Sequence, residues 1–195
     1  MFDYATFAVL ETQRLHLRQM TAQDADGMLK LYGDPQVLQY YDIDEPFTTP
    51  EQALDLIGYF QQRFAAREGI RWAITLKETG AFIGDCGYNH WWQQHACGEI
   101  GYALAQAYWS RGIMTEAVGR IVRFGFEEML LNRVQAEVDP ANEGSIRVLD
   151  KLGFQQEGIL RERYVEKNRY VDAMVFGLLR RDYEYDPLTE PTSPR

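Results

Sequence analysis

Apolar positions along the chain switch between a two-residue and a 3.6-residue period, and the switches mark out its elements. Leu15 and Leu17 alternate with Arg14, His16 and Arg18, as in a half-buried strand. Thr21 then caps a helix, with Asp24 in the first turn and Gly33 near its end. Thr49-Pro50-Glu51-Gln52 predicts a second helix start: a capping Thr, Pro at the first helical position and Gln at the third. That helix is expected to run to about Glu68, where Gly69 stops it. Trp72, Ile74 and Leu76 alternate as a strand, and Phe82 to Tyr88 is the next, across a turn at Glu78-Thr79-Gly80. Gly98 to Leu104 reads as a further strand.

The strongest helix follows. Ile113, Ala117, Ile121 and Met129 form one stripe, and Met114, Val118, Val122, Phe126 and Leu130 the adjacent one. Together they make a broad apolar face that packs on a sheet. Val134, Ala136 and Val138 alternate with Gln135 and Glu137 as a strand. A short helix from Asn142 to Leu152, closed by Gly153, comes next. Two last strands, Phe154 to Val165 and Tyr170 to Leu179, turn at Glu166-Lys167-Asn168. The order β-α-α-β-β-β-α-β-α-β-β predicts an α/β fold with seven strands in one mixed sheet and helices on both faces. The chain shows no internal repeat. Asp186 to Arg195 holds three prolines with Thr and Ser between them. It is expected to be a disordered end to a single domain spanning residues 1–185.

Composition narrows the function. With 195 residues, 46% of them hydrophobic, the chain can bury a substantial core. No apolar run approaches the roughly 20 residues that cross a bilayer. Met1 to Arg14 lacks a basic start followed by an apolar stretch, so a cytoplasmic protein without a membrane partner is expected. The net charge of −9 argues against nucleic acid, whose phosphates need clustered Lys and Arg. It suits solubility first and a cationic substrate second. Cys86 and Cys97 are too few for a disulfide framework and lack the paired spacing of a zinc site. They read as packed, reduced thiols, and no metal is expected.

The chemistry concentrates between Gly98 and Phe154. A strand ending at Leu104 passes through the loop from Ala105 to Gly112 into the strongest helix. The first turn of such a helix has backbone N–H groups without partners and partial positive charge, which suits phosphate. Gly112 allows a ligand close approach to the backbone, and Thr115 adds a hydroxyl. A glycine needed only for a tight turn gives the same pattern. Neither a Walker loop nor a Rossmann fingerprint is present.

Further words follow in order: Glu99-Ile100-Gly101-Tyr102, Tyr108-Trp109-Ser110-Arg111-Gly112-Ile113-Met114-Thr115-Glu116-Ala117, Asn142-Glu143-Gly144-Ser145 and Leu152-Gly153-Phe154. With Glu11-Thr12-Gln13-Arg14-Leu15-His16-Leu17-Arg18 before them, the chain resembles the GNAT N-acetyltransferase superfamily, in its RimJ/RimL-like branch, from about Leu10 to Tyr183. The resemblance implies a sheet splayed in the middle and acetyl-CoA as the acetyl donor. Its pyrophosphate would lie on the amides of Arg111, Gly112, Ile113, Met114 and Thr115, and its pantetheine along Tyr102, Ala103 and Leu104. Asn142 would hold the arm from the opposite side, or serve as a helix cap, or both. Ser145 would lie near the departing sulfur.

Acetyl transfer to an amine needs a base, stabilisation of a developing negative charge, and a proton or similar help for the thiolate. An amide between Tyr102 and Leu104 is the expected donor to that charge. Glu99 and Glu137, one on each splayed strand, are the candidate bases, with preference for Glu137. Each also reads as a solvated charge on a strand. The Tyr that many relatives carry in the short helix is here Leu149, which leaves Ser145 as proton donor, with Tyr164 a looser alternative. Tyr164 also stands where RimL-like relatives carry a Glu base, so that mechanism does not carry over and water is left to relay the proton. Tyr40, Tyr41, Trp72, Tyr88, Trp91 and Trp92 crowd the expected acceptor side, half of them or more as packing. Asp42, Asp44 and Glu45 read as a polar loop or as an ammonium lure. The expected acceptor is a protein N-terminal α-amine. A small amine (polyamine, amino acid or aminoglycoside) and an acetyl-CoA-binding module without turnover are the alternatives. The resemblance also makes a homodimer plausible.

Overall fold

The computed structural model describes residues 2–41, 43 and 45–183. Asp42, Asp44 and the expected disordered tail lie outside the described residues. A single eight-stranded sheet runs in the order β1-β2-β3-β4-β5-β6-β8-β7. Its strands are β1 (Leu10–Glu11), β2 (Leu15–Gln19), β3 (Ile70–Leu76), β4 (Phe82–Trp92), β5 (Cys97–Leu104), β6 (Arg133–Val138), β7 (Gln155–Glu166) and β8 (Arg169–Leu179). Every neighbouring pair is antiparallel except β5–β6, which is parallel. The four α-helices are α1 (Ala25–Tyr32), α2 (Pro50–Ala65), α3 (Ile113–Glu127) and α4 (Glu143–Lys151).

Helices cover both faces, as the patterning predicts. On one face α3 and α4 bury Ile113, Ala117, Val118, Ile121 and Leu149 against Ile100, Val134 and Ala136 of the sheet. On the other, α1 and α2 bury Met28, Leu31, Tyr32, Ala53 and Ile57 against Ala73 and Ala103. Each large aliphatic buried in this way contributes about 1.5–3 kcal/mol. Packing therefore decides where the helices lie, and their caps decide where they begin. The Thr49 amide donates to Gln52 Oε1 at 3.0 Å, closing the expected box ahead of Pro50.

Four expectations are corrected. The eighth strand, β1, is two residues long and gives no readable alternation. Helix α2 ends at Ala65, before Glu68, because the chain turns left-handed at Arg67 (φ 59°) and the Glu68 amide folds back to Arg63 O at 3.0 Å. Leu130 lies beyond α3, left-handed at φ 57° and 46% exposed, while Leu131 N closes back onto Gly125 O. Strand β4 continues past Tyr88 to Trp92 through a register shift between Tyr88 and His90.

That shift lies opposite the start of β5, next to the place where the sheet opens. Strands β5 and β6 pair only through Cys97–Arg133, Gly98–Val134 and Glu99–Gln135. Beyond Glu99 the two strands share no ladder, so the parallel pair forms a V. This is the splay that the resemblance implies.

Candidate active site

Gly112 is the N-cap of α3, with φ +71° and ψ 7°, a conformation in which a side chain is strained. Helix geometry leaves the amides of Ile113, Met114 and Thr115 without intrahelical partners; the Glu116 amide is the first to be satisfied, by Gly112 O at 3.1 Å. The sequence stretch that opens the chain holds this turn in place. Thr12 Oγ1 donates to Glu116 Oε1 at 2.6 Å, the Arg14 amide to the same oxygen at 2.8 Å, and Arg14 Nε to Glu116 Oε2 at 2.6 Å. Arg14 also reaches the Arg111 carbonyl at 3.0 Å. Burial pushes the Glu116 carboxyl up, but these donors outweigh burial and hold it below its ordinary value. Glu116 was part of a matching word and given no role; the structure makes it the anchor of the loop. Arg111 lies with its guanidinium over the Tyr108 ring, 5.7 Å from the centroid.

The edge of β5 presents a second set of amides. The Ala105 amide donates to Ile83 O of β4 at 2.9 Å. In an antiparallel ladder the direction alternates, so Ala103 also points at β4, and Tyr102 and Leu104 point the other way, into the V. Their carbonyls are already engaged: the Trp109 indole donates to Leu104 O at 2.7 Å, and the Tyr41 hydroxyl donates to Tyr102 O. The amides of Tyr102 and Leu104 are what this edge offers a ligand. A phosphate-bearing thioester with an amide-rich arm fits these two groups of donors.

The sheet divides the candidate catalytic residues. Ser145 lies on the α3/α4 side, in the first turn of α4, where Asn142 Oδ1 accepts from its amide at 3.1 Å. Asn142 is thus the helix cap, the plainer of its two expected roles. Ser145 Oγ is 2.7 Å from the Tyr102 hydroxyl. Burial pushes the Tyr102 phenol above its ordinary value, which keeps it protonated at neutral pH; the Ser145 contact offsets this in part. The Tyr102 side chain is a site residue that sequence reasoning missed, having noted only its backbone. A phenol is therefore present beside Ser145, although Leu149 is buried and apolar.

Glu99 and Glu137 occupy the opposite face. Glu137 Oε2 accepts from the Tyr164 hydroxyl at 2.6 Å and lies 3.2 Å from Arg163 Nε. Burial, then this bond, pushes the Tyr164 phenol up. Glu99 Oε1 is 3.2 Å from His90 Nδ1, and its Oε2 accepts from Gln135 Nε2 at 3.1 Å. On this side a cavity of about 380 Å³ opens between α2, β3 and β4. Its floor is a buried network: Arg71 Nε donates to Asp85 Oδ1 at 2.7 Å, Tyr32 OH to Asp85 Oδ2 at 3.0 Å, and Arg71 NH1 to Asn89 Oδ1 at 2.6 Å. Tyr41 lines the cavity and touches the Tyr102 carbonyl, so cavity and V meet there. Of the aromatics singled out, Tyr41 lines the cavity; Tyr88 borders it but buries its ring in the core on the α3 side, where Trp72 is also core and Trp91 packs against it. Glu45 is exposed. Among the described residues, no group of His, Cys, Asp or Glu is placed to hold a metal, and both cysteines are buried free thiols.

Comparison with known proteins places the chain in a family. Residues 14–155 match the family described as the acetyltransferase (GNAT) domain. The uncharacterized N-acetyltransferase p20 of Bacillus licheniformis is 40% identical over 89% of this chain and 97% of its own length. Mycobacterium smegmatis RimJ, solved in complex with CoA-disulfide, superposes with a TM-score of 0.83 at 19% identity, covering 93% of this chain and 91% of that one. The microcin C7 self-immunity acetyltransferase MccE, solved with acetyl-CoA and AMP, gives 0.78 at 16% identity over 86% and 93%. By these matches, which span the V, the α3 turn and α4, the chain belongs to the GNAT family and is an acetyltransferase.

Proposed function

We propose that the chain acetylates the α-amine of a peptide or protein N-terminus, with acetyl-CoA as donor. The observation that carries this reading is the V between β5 and β6, with free amides on one side and an apolar cavity on the other. Bound acetyl-CoA supplies the activated acetyl group. The first turn of α3 grips the diphosphate, and the amides of Tyr102 and Leu104 align the arm. An amide of this edge also meets the negative charge that develops on the thioester oxygen. On the α4 side, Tyr102 and Ser145 hold the proton that the sulfur takes as it leaves.

The cavity favours one acceptor class over the others. Its described lining is largely aromatic and aliphatic and holds two arginines, Arg63 and Arg71, with no Asp or Glu. A polyamine or an aminoglycoside finds no carboxylate in this described lining to pair its several positive charges. An α-amine with an apolar side chain and a peptide carbonyl fits better.

The test combines calorimetry of coenzyme A with thiol release from acetyl-CoA in the presence of an Ala-initiated peptide, a Phe-initiated peptide, spermidine and kanamycin. The reading expects coenzyme A to bind and a peptide to be the best acceptor. Turnover of spermidine alone would reject the peptide acceptor. Binding without thiol release from any amine would make the protein an acetyl-CoA-binding module.

A further inference from the structure

We infer that His90 is the group that takes the proton from the acceptor amine, with Glu99 as its positioning residue. This rests on the acetyl-transfer reading above and adds to it a residue that no motif in the chain singles out. His90 lies at the crossing of three independent features.

The first is its place in the sheet. His90 pairs across the ladder with Glu99, the last β5 residue that also pairs with β6. The register shift between Tyr88 and His90 lies immediately before it. It therefore stands at the apex of the V, beside the point where the two strands separate. A lone histidine near the end of a long strand has no periodic signature, which is why the sequence does not single it out.

Its hydrogen bonding is the second. His90 Nδ1 lies 3.2 Å from Glu99 Oε1. Glu99 is fixed in turn by Gln135, whose Nε2 donates to Oε2 at 3.1 Å. Arg133 Nε holds Gln135 Oε1 at 3.1 Å, and Arg133 is itself paired with Glu157 at 2.6 Å. A carboxylate on Nδ1 selects the tautomer with hydrogen on Nδ1, leaving Nε2 as a bare lone pair. The imidazole plane is set by Trp92, stacked at 5.5 Å between centroids and 11° between planes. This is the arrangement of a base held by an orienting acid.

The third is access. His90 lines the 380 Å³ cavity assigned to the acceptor, and its side chain is half exposed. By contrast, Glu137 lies outside the residues that line this cavity, and its Oε2 already takes both Tyr164 and Arg163. Glu99 approaches from β5. Arg63 from α2 also lines the cavity, its guanidinium paired with Glu68 at 3.3 Å, and Arg71 from β3 is paired with Asp85 at 2.5 Å.

The step balances as follows. An ammonium proton passes to His90 Nε2, and the nitrogen lone pair forms the N–C bond to the acetyl carbon. The C–S bond breaks, and its electrons stay on sulfur, which takes a proton from the Tyr102–Ser145 pair. The acylated nitrogen sheds its second proton to water, water reprotonates the Tyr102–Ser145 pair, and the imidazolium returns its proton to solvent at the cavity mouth.

Two measurements test this. Histidine is present three times, as His16, His90 and His95, so nitrogen NMR of the imidazoles resolves each. Neutral His90 is expected as the Nδ1–H tautomer in the wild type and as a mixture in E99A; an Nε2–H tautomer in the wild type overturns the inference. In turnover, with the peptide that the wild type uses best, H90Q is expected to lower kcat/KM by about 10²–10⁴-fold. It should also remove the acid limb of the pH profile, because only neutral imidazole accepts a proton. E99A should lower kcat/KM and E99D restore part of it, while H95Q keeps the wild-type value. Wild-type turnover with H90Q unchanged, or an acid limb lost in E137Q and kept in H90Q, rejects His90 and leaves the acetyl-transfer reading intact. Absence of wild-type turnover rejects that reading instead.

Discussion

The two faces of the opened sheet are built from different materials. The α3/α4 side presents backbone: the amides of the first turn of α3 and the edge amides of Tyr102 and Leu104. Side chains there serve mainly to hold that backbone still, as Glu116 does. The α1/α2 side works with side chains around a cavity, standing on the buried Arg71–Asp85–Tyr32 network. A ligand common to a whole family can be read by backbone, which every sequence supplies. A particular acceptor must be read by side chains, which each chain chooses for itself. The contrast predicts that damage on one face spares the ligand of the other.

The largest effect should come from breaking the acceptor floor. R71M leaves Asp85 buried and uncompensated, and unfolding should become easier by about 3–5 kcal/mol in thermal or denaturant titration. R71M/D85L, which removes both charges, should recover most of that. Coenzyme A affinity of the folded R71M protein should match the wild type; a large loss would mean that the faces are coupled. Next in size is Gly125 inside α3, where a Cβ would lie 1.9 Å from the Tyr88 hydroxyl that donates to Ile121 O. G125A should lose about 1–3 kcal/mol through overpacking. Adding Y88F should recover part of it.

G112A tests the backbone grip. A side chain at φ +71° costs about 1–2 kcal/mol; with the free loop relaxing out of that conformation and the ligand having to restore it, coenzyme A should bind about 5–30-fold more weakly by calorimetry, with acceptor KM unchanged. The smallest effect is E116Q, about 1 kcal/mol once partial exposure is allowed for. Its sign with pH follows from the lowered carboxyl. The wild-type advantage is full above the ordinary value of 4.5 and fades as pH falls through the lower folded value. Unfolding midpoints of both proteins across acid pH check this.

The same contrast explains what could be read in advance. Gly112, Thr115 and Asn142 are local signals: a left-handed cap, a first helical turn and a side-chain cap each show within four or five residues. Strands β2, β3 and β6 show themselves by alternation and the others by the turns and helices that bound them, whereas β1 is too short for either. The acceptor side offers no such words. Arg71, Asp85 and Tyr32 come from β3, β4 and α1, and His90 meets Glu99 only through a register that a bulge has shifted. Tyr102 shows the same limit, since its side chain finds Ser145 forty-three positions later. Alternation places a residue on a face of the sheet without naming its neighbour across a helix.

The clasp between Thr12 and Glu116 closes a loop of 104 positions, more than half the chain. Such a closure has a high contact order, and its entropy is recovered only after the intervening strands have paired. During refolding, the nucleotide cradle should therefore be the last part to mature. Tryptophan fluorescence should regain its native value before coenzyme A can be captured, and E116Q should leave the early phase untouched while altering the late one. The opening residues of the chain thus act as a latch, withholding ligand competence until the scaffold behind it has formed.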